Sequence, residues 1–257
     1  MPRARAALLI VLFLPWGAAW LPGGRARAAD ARSVVEAYVA RFAGTGIENL
    51  AVVQTFTLYH PDGRQPAVTG SQRLFLKLPL SQRLEQTIDG QREVRVTIGD
   101  RVWIRQHDGR TYEAPPAEGR RDRAHLLVAF QRGASDLLAE WQSLGVRSDV
   151  SDEARLGGRP VTIIGAKAAE RDRPSVWIDS EYGVVRFIAR ERLPRGPGLV
   201  DVVFSDHRPL IDRFFYPHRQ EVFADGKLLV LVAVRSVTVN TTLAADLFDP
   251  DALKRGG

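Results

Sequence analysis

The residues of this chain that are best equipped for chemistry do not stand at the spacings chemistry needs. Its five histidines, His60, His107, His125, His207 and His218, are scattered, and no two stand at i, i+4 as a helix-borne metal pair would. A zinc site would have to be assembled from distant strands. There is no cysteine, which excludes a disulfide framework, a thiol nucleophile and a thiolate metal site. No G-x-S-x-G elbow, S-x-x-K, H-E-x-x-H or phosphate-cradling glycine loop occurs. Four aspartates, Asp62, Asp89, Asp108 and Asp225, are each followed by glycine, which favours turns over catalysis because glycine tolerates positive φ. Asn240-Thr241-Thr242 is a formal glycosylation sequon of a kind that arises often by chance. The residues therefore point to binding rather than turnover, and no metal or cofactor is expected.

The N-terminal segment says where that binding is expected to happen. Arg3 and Arg5 precede an apolar run from Ala6 to Leu21, and Ala26-Arg27-Ala28 stands just before Ala29. A basic start, an apolar middle and an A-x-A site read as a secretory signal peptide, cleaved near Ala28. The alternative, a membrane anchor, wants about 18 unbroken apolar residues, and Pro15 and Gly17 interrupt this run. Without cysteine no acyl chain can be attached at the cleavage point, so an untethered exported protein is expected. Removing residues 1–28 removes four arginines and no acid from 36 basic and 30 acidic residues, so the net charge falls from +6 to +2. The densest basic cluster, Arg120, Arg121 and Arg123, reads as a solvated helix start rather than a nucleic-acid patch. The remaining 29–257 suit one domain with a sizeable core.

The elements follow from periodicity. Val34, Val35, Tyr38, Val39 and Phe42 recur at helical period, with Ser33 and Glu36 at capping-box spacing and Gly44 as a stop. From Leu50 the period becomes two. Leu74, Leu76 and Leu78 alternate with Arg73, Phe75 and Lys77; Leu84 and Ile88 alternate with Arg83, Glu85 and Thr87; Val94, Val96 and Ile98 alternate with Glu93, Arg95 and Thr97. Such strands have one dry and one wet face, as in antiparallel sheets. The alternation places Leu74, Leu76, Leu78, Leu84, Ile88, Val94, Val96 and Ile98 on one inner wall, with Arg73, Arg83 and Arg95 outward.

A helical interlude is expected from about Arg120 to Leu144. Its apolar residues form two clusters, Leu126, Leu127 and Phe130, then Leu137, Leu138, Trp141 and Leu144. Ser135 or Asp136 can cap the second helix and Gly145 can end it. Strands resume over 147–156, 160–166, 174–179, 184–192, 199–206, 210–216, 218–224 and 228–239. The pattern is α+β and mainly β: one large antiparallel sheet with helices at its start and middle. Such a sheet is filled by its own side chains or encloses a ligand cavity.

Three segments resemble the bacterial periplasmic LolA/LolB-type lipoprotein carriers, the outer-membrane lipoprotein-sorting group. They are Gly70-Ser71-Gln72-Arg73-Leu74-Phe75-Leu76-Lys77-Leu78-Pro79; Ile98-Gly99-Asp100-Arg101-Val102-Trp103-Ile104; and the end of the chain. That end runs from Val203-Phe204-Ser205-Asp206-His207-Arg208 through Tyr216-Pro217 and Val237-Thr238-Val239-Asn240 to Leu247-Phe248-Asp249-Pro250. The likeness spans nearly all of 29–257 in order. It implies a strongly bent, unclosed β-barrel whose concave apolar face is lidded by helices. It also implies a monomeric, non-enzymatic periplasmic carrier of lipoprotein acyl chains or another lipid. Its partners would be an inner-membrane donor and an outer-membrane acceptor, with no nucleic acid. On that reading Leu126, Leu127, Phe130, Leu138 and Trp141 line the lid; the alternative is that they complete a filled core. One position departs from the family. Where narrow carriers have a lid-bonding arginine, this chain has Leu78, so the family's closing device does not carry over. A lipid-sensing regulatory module of the cell envelope is the alternative function, ahead of a hydrolase.

Overall fold

The computed structural model describes residues 30–42, 44–60, 68–115, 132–193, 196–211 and 214–256. The expected leader, Asp62-Gly63, Leu126, Leu127 and Phe130 lie outside the described residues. The chain opens with helix α1 (Ala31–Ala40). Six strands follow: β1 (Asn49–Leu58), β2 (Val68–Lys77), β3 (Ser81–Ile88), β4 (Gln91–Ile98), β5 (Arg101–Arg105) and β6 (Thr111–Ala114). Helix α2 (Ala134–Ser143) leads to β7 (Ser151–Leu156), β8 (Arg159–Ile164), β9 (Ser175–Asp179), β10 (Gly183–Leu193), β11 (Gly196–Ile211), β12 (Phe214–Ala224) and β13 (Lys227–Val239). A short helix α3 (Pro250–Arg255) ends the described chain.

The strands form one thirteen-stranded antiparallel sheet, ordered β6-β5-β4-β3-β2-β1-β13-β12-β11-β10-β9-β8-β7. Two meanders are joined where β13 returns beside β1, with Leu50 opposite Val239 and Val52 opposite Val237. The sheet does not close on itself: β6 and β7 are its ends. This is the unclosed antiparallel barrel with few helices. Asp-Gly pairs make three of its turns. Asp89-Gly90 and Asp225-Gly226 have positive φ at both residues, 48° and 78°, then 48° and 77°. That backbone twist matches the flanking strands of β3–β4 and β12–β13. Gly109, at φ 86°, turns β5 into β6.

Both ends of α1 differ from expectation. The helix begins one turn earlier, with Asp30 at its N-cap, so Ser33 lies inside the helix and Glu36 accepts from Arg32 instead of capping. It ends at Arg41, before Gly44. Helix α2 is capped by Asp136, whose Oδ2 accepts the Gly133 amide at 3.3 Å, and ends at Gly145 with φ 91°. Both helices lie on the same face of the sheet. Val35, Leu137 and Trp141 are essentially inaccessible there among Val176, Phe187, Ala189, Val200 and Val202. Each such aliphatic side chain contributes about 1.5–3 kcal/mol by leaving water. We call this helix-bearing side the inner face.

The outer face of β2–β5 is also covered. After β13 the chain crosses it, and Leu243, Leu247, Phe248 and Leu253 pack on Phe75, Val94, Val96 and Trp103. α3 is well defined locally: Asp249 Oδ1 accepts the Asp251 amide at 2.9 Å, Pro250 occupies the first turn, and Gly256 is left-handed at φ 103°.

That cover corrects the expected wall. β2 and β3 pair Leu74 with Leu84, so even-numbered residues share a face. The two-residue Asp89-Gly90 turn pairs Ile88 with Gln91, so even residues of β3 face the same way as odd residues of β4. Val94, Val96 and Ile98 therefore lie on the outer face, opposite to Leu74, Leu76, Leu84 and Ile88. Arg95 turns inward and is half-buried. Arg83 is outward by register, as expected, but only 3% exposed beneath the C-terminal segment. Its Nη1 donates to the Leu247 carbonyl at 3.0 Å and its Nε to Glu85 Oε1 at 2.7 Å. Arg73 is exposed on the outer face.

Candidate functional site

The inner face has two halves. Over β8–β11 it is filled. α1 seats Val35 and Tyr38, and α2 seats Leu137 and Trp141, among the sheet's side chains, with Leu138 packed at their margin, so α2 here completes a core. Over β1–β3 and β13, among the described residues, the apolar cluster draws no side chain from α1 or α2. Leu50, Val52, Leu74 and Leu76 form the floor, with Leu78, Leu84, Val234, Val237 and Val239 half-buried around them. Phe42, just past α1, bridges the halves: its ring meets Tyr38 on one side and Phe214 on the other, each centroid 5.4 Å away. Leu78 sits at the corner after β2, its amide donating to the Glu48 carbonyl at 3.0 Å.

Rows across the strands show how the face is graded. Val52, Leu74 and Leu84 stand side by side on β1, β2 and β3, next to Leu50 and Leu76. One row on, Gln54, Gln72, Gln86 and Glu93 stand opposite one another. Gln54 Nε2 donates to Gln72 Oε1 (2.8 Å), Gln72 Nε2 to Gln86 Oε1 (3.3 Å), and Gln86 Nε2 to Glu93 Oε1 (3.1 Å). Arg95 Nη2 also reaches Glu93 Oε1, at 3.4 Å. Beyond this ladder Phe56 crosses Gly70 and fills the face. A Cβ on Gly70 would stand 2.5 Å from the Phe56 ring.

The sequence reading placed Leu74, Leu76, Leu84 and Ile88 together, and the register does bring them to one face. It missed Leu50, Val52 and the β13 valines, because the β1–β13 pairing closes nearly the whole length of the chain. The ladder had a signal: Gln72 and Gln86 share the parity of Leu74 and Leu84.

Titratable clusters elsewhere are structural. Asp179, 1% exposed, accepts Arg159 Nε and Nη2 at 2.7 and 3.0 Å and the amides of Glu181 and Tyr182 at 2.8 and 2.9 Å. Burial opposes its ionisation, but these donors outweigh it and hold the carboxyl below its ordinary range. Three of these donors meet Oδ1 and one meets Oδ2, which commits the carboxylate to holding its own turn. His207 stacks on Tyr182 at 4.5 Å; burial lowers its pKa to about 4, so it is neutral at pH 7. Among the described residues no three histidines, aspartates or glutamates gather where they could hold a metal ion. An open cleft of about 470 Å³ at the β7 end is lined by Glu153, Arg155, Pro160, Thr162, Ile178 and Ser180, a mixed polar wall suited to water.

No protein-family model matches the chain, and no curated protein matches it in sequence. Solved structures do match. One is a putative outer membrane lipoprotein-sorting protein domain from Vibrio parahaemolyticus, at 14% identity and TM-score 0.59. Others are a DUF1329 family protein from Desulfovibrio piger (12%, 0.56) and a LolA superfamily protein from Nitrosomonas europaea (10%, 0.51). Each alignment covers 88% of this chain and 100% of the other. At such identities the likeness is one of fold. The chain has the fold of the lipoprotein-sorting and LolA-superfamily structures. Among its described residues no helix is long and apolar enough to cross a membrane.

Proposed function

We propose that the chain is an exported, periplasmic carrier that holds acyl chains of a lipoprotein or another lipid against the inner face of β1–β3 and β13. The observation that carries this reading is the floor of Leu50, Val52, Leu74 and Leu76, ringed by aliphatic side chains that the helices leave half-buried. Each methylene taken from water contributes about 0.8 kcal/mol, so a long acyl chain crosses an aqueous space only under cover. Release is as necessary as binding. It suits a wall of adaptable aliphatic side chains, with movable segments over it, better than tight polar recognition. The carrier-type fold agrees with this, and Asp179 is committed to Arg159 and to two backbone amides of its own turn. Residues 29–257 then act as one domain after removal of the leader, without a metal or cofactor, and deliver between membrane-bound donor and acceptor proteins.

The test is native mass spectrometry of protein secreted with its own leader. A co-purifying lipid, lost on delipidation and displaceable by a fluorescent acyl probe, is expected. Protein that leaves the periplasm free of lipid and takes up no acyl probe would sink the carrier reading.

A further inference from the structure

The Gln54–Gln72–Gln86–Glu93 ladder is an unusual thing to place on an apolar wall, because each half-buried amide forgoes water for one neighbour. A buried polar row of this kind costs free energy unless its remaining donors and acceptors are met. Each glutamine in the row uses one N–H and one carbonyl position at most along the chain of bonds, which leaves hydrogen-bonding capacity facing the inner side. At the β4 end the Nε of Arg95 is buried with no acceptor among the described residues.

The ladder also divides the face. One row along the strands on the Phe56 side, the wall is blocked by that ring lying across Gly70. On its other side the apolar floor runs from Val52 and Leu74 to Leu50 and Leu76. Counted from the ladder, Gln72 to Leu76 and Gln54 to Leu50, that is four residues along each strand, or about 13 Å, before the corner at Leu78. An acyl chain can leave the ladder in this direction alone. Arg95 stands one row over, beside Leu84, and is engaged by Glu93, so the two charges offset each other at this end of the ladder.

We infer that the ladder is a headgroup site. It receives the uncharged hydroxyl- or amide-bearing end of an acylated ligand, whose O–H and N–H groups bond the glutamines, with Arg95 Nε donating to an oxygen of that end, while the chain lies along Leu74 and Leu76. This rests on the carrier reading and narrows it. The ligand is an amphiphile with a neutral polar linkage, such as an acylglycerol or an acylated peptide end, and neither a bare hydrocarbon nor an anionic phospholipid. The glutamine row sets how deep the chain enters.

Displacement of a fluorescent acyl probe by four ligands of equal chain length tests it: monopalmitoylglycerol, N-palmitoylglycinamide, methyl palmitate and lysophosphatidate. Monopalmitoylglycerol or N-palmitoylglycinamide should compete about tenfold more tightly than methyl palmitate, and which of them leads separates a glycerolipid from a lipidated peptide as the source. In Gln86→Met and Gln72→Met, which keep side-chain length, that preference should fall to within about twofold while methyl palmitate competes as before. Circular dichroism checks that each variant is folded, and Arg73→Gln, on the outer face away from the row, gives a second folded control with the preference retained. If the folded variants keep the full preference, or if methyl palmitate or lysophosphatidate binds wild type best, the headgroup site is overturned and the carrier reading stands. If wild type takes up the acyl probe but no ligand displaces it, the headgroup site is likewise overturned. Failure of wild type to take up the probe at all overturns both.

Discussion

Two single residues carry sharp expectations. Leu78 stands at the corner of the apolar floor, half-buried against the Leu74–Leu76 cluster. Leu78→Arg puts a guanidinium there. It can find a carbonyl across the cleft or turn partly to water, so a cost of about 1–3 kcal/mol is expected rather than outright unfolding. The urea midpoint should drop accordingly and acyl-probe retention should change, whereas Leu78→Ile should leave both nearly as they are. Probe curves identical for wild type and Leu78→Arg would show that Leu78 lines no site. His207 predicts a pH effect with a definite sign. Burial lowers its pKa most; Arg159 and Arg41 push the same way, against Asp179 and Asp206. The unfolded chain takes up a proton near pH 6.5 that the folded chain refuses until about 4. Stability is therefore complete above pH 6.5 and falls as the pH drops from 6.5 to 4, by on the order of 1–2 kcal/mol after solvent screening. Asp179, held below its ordinary range, adds its own loss only under about pH 4. His207→Phe keeps the stack on Tyr182 and removes the titration, so its melting temperature should fall less over pH 6.5 to 4. Equal slopes for the two proteins would refute the assignment.

At the scale of elements, the C-terminal segment decides the outer face. Val94, Val96 and Trp103 are buried only because residues 243–253 lie over them, and Arg83 pins that segment through the Leu247 carbonyl. Arg83→Ala removes the pin. Glu85 retains Arg92 at 3.1 Å, so the loss should be about 2–3 kcal/mol, less than for a carboxylate stranded alone. Amides of residues 241–255 should exchange faster in this variant while those of β10 and β11 do not; uniform acceleration would mean the segment is no separate unit. The same element shows what the sequence could disclose. Alternation revealed the strands, and the Asp-Gly pairs revealed the hairpins at 89–90, 108–109 and 225–226, because both signals are local. Faces were less legible. β4 carries its apolar residues outward, Val94 and Val96, while β5 is apolar on both sides, Trp103 outward and Val102 and Ile104 inward, so alternation alone names no inner wall. The turn length at Asp89-Gly90 held the missing information, since a two-residue loop fixes which parity faces which. Helix α3 was hidden because six residues are too few to show a period.

For the whole molecule, the division of the inner face matters most. One half, over β8–β11, is a filled core closed by α1 and α2, with Val35, Leu137 and Trp141 inaccessible. The other, over β1–β3 and β13, has an apolar floor to which, among the described residues, α1 and α2 contribute no side chain. The pairing of β1 with β13 ties the two halves into one continuous array, so a ligand taken up over β1–β3 leaves the filled half as scaffold. The sequence foreshadowed a sheet with helices over it. It could not say which half the helices fill, because that depends on contacts between residues more than a hundred positions apart, such as Val35 with Val176 and Val200. Amide hydrogen exchange reads the division directly. Without ligand, β9–β11 and α2 should exchange slowest, near the global limit, and the inner-face strands β1–β3 and β13 faster. Adding a saturating acylglycerol should slow β1–β3, β13 and the segment around Phe42 several-fold, since ordering of half-buried aliphatics and the bridging ring protects the amides beneath them. β9–β11 should change little beyond the general stabilisation that any ligand of the native state confers. Slowing confined to α2 and β8–β10 would place the ligand in what is here a packed core, and would overturn this division of the face.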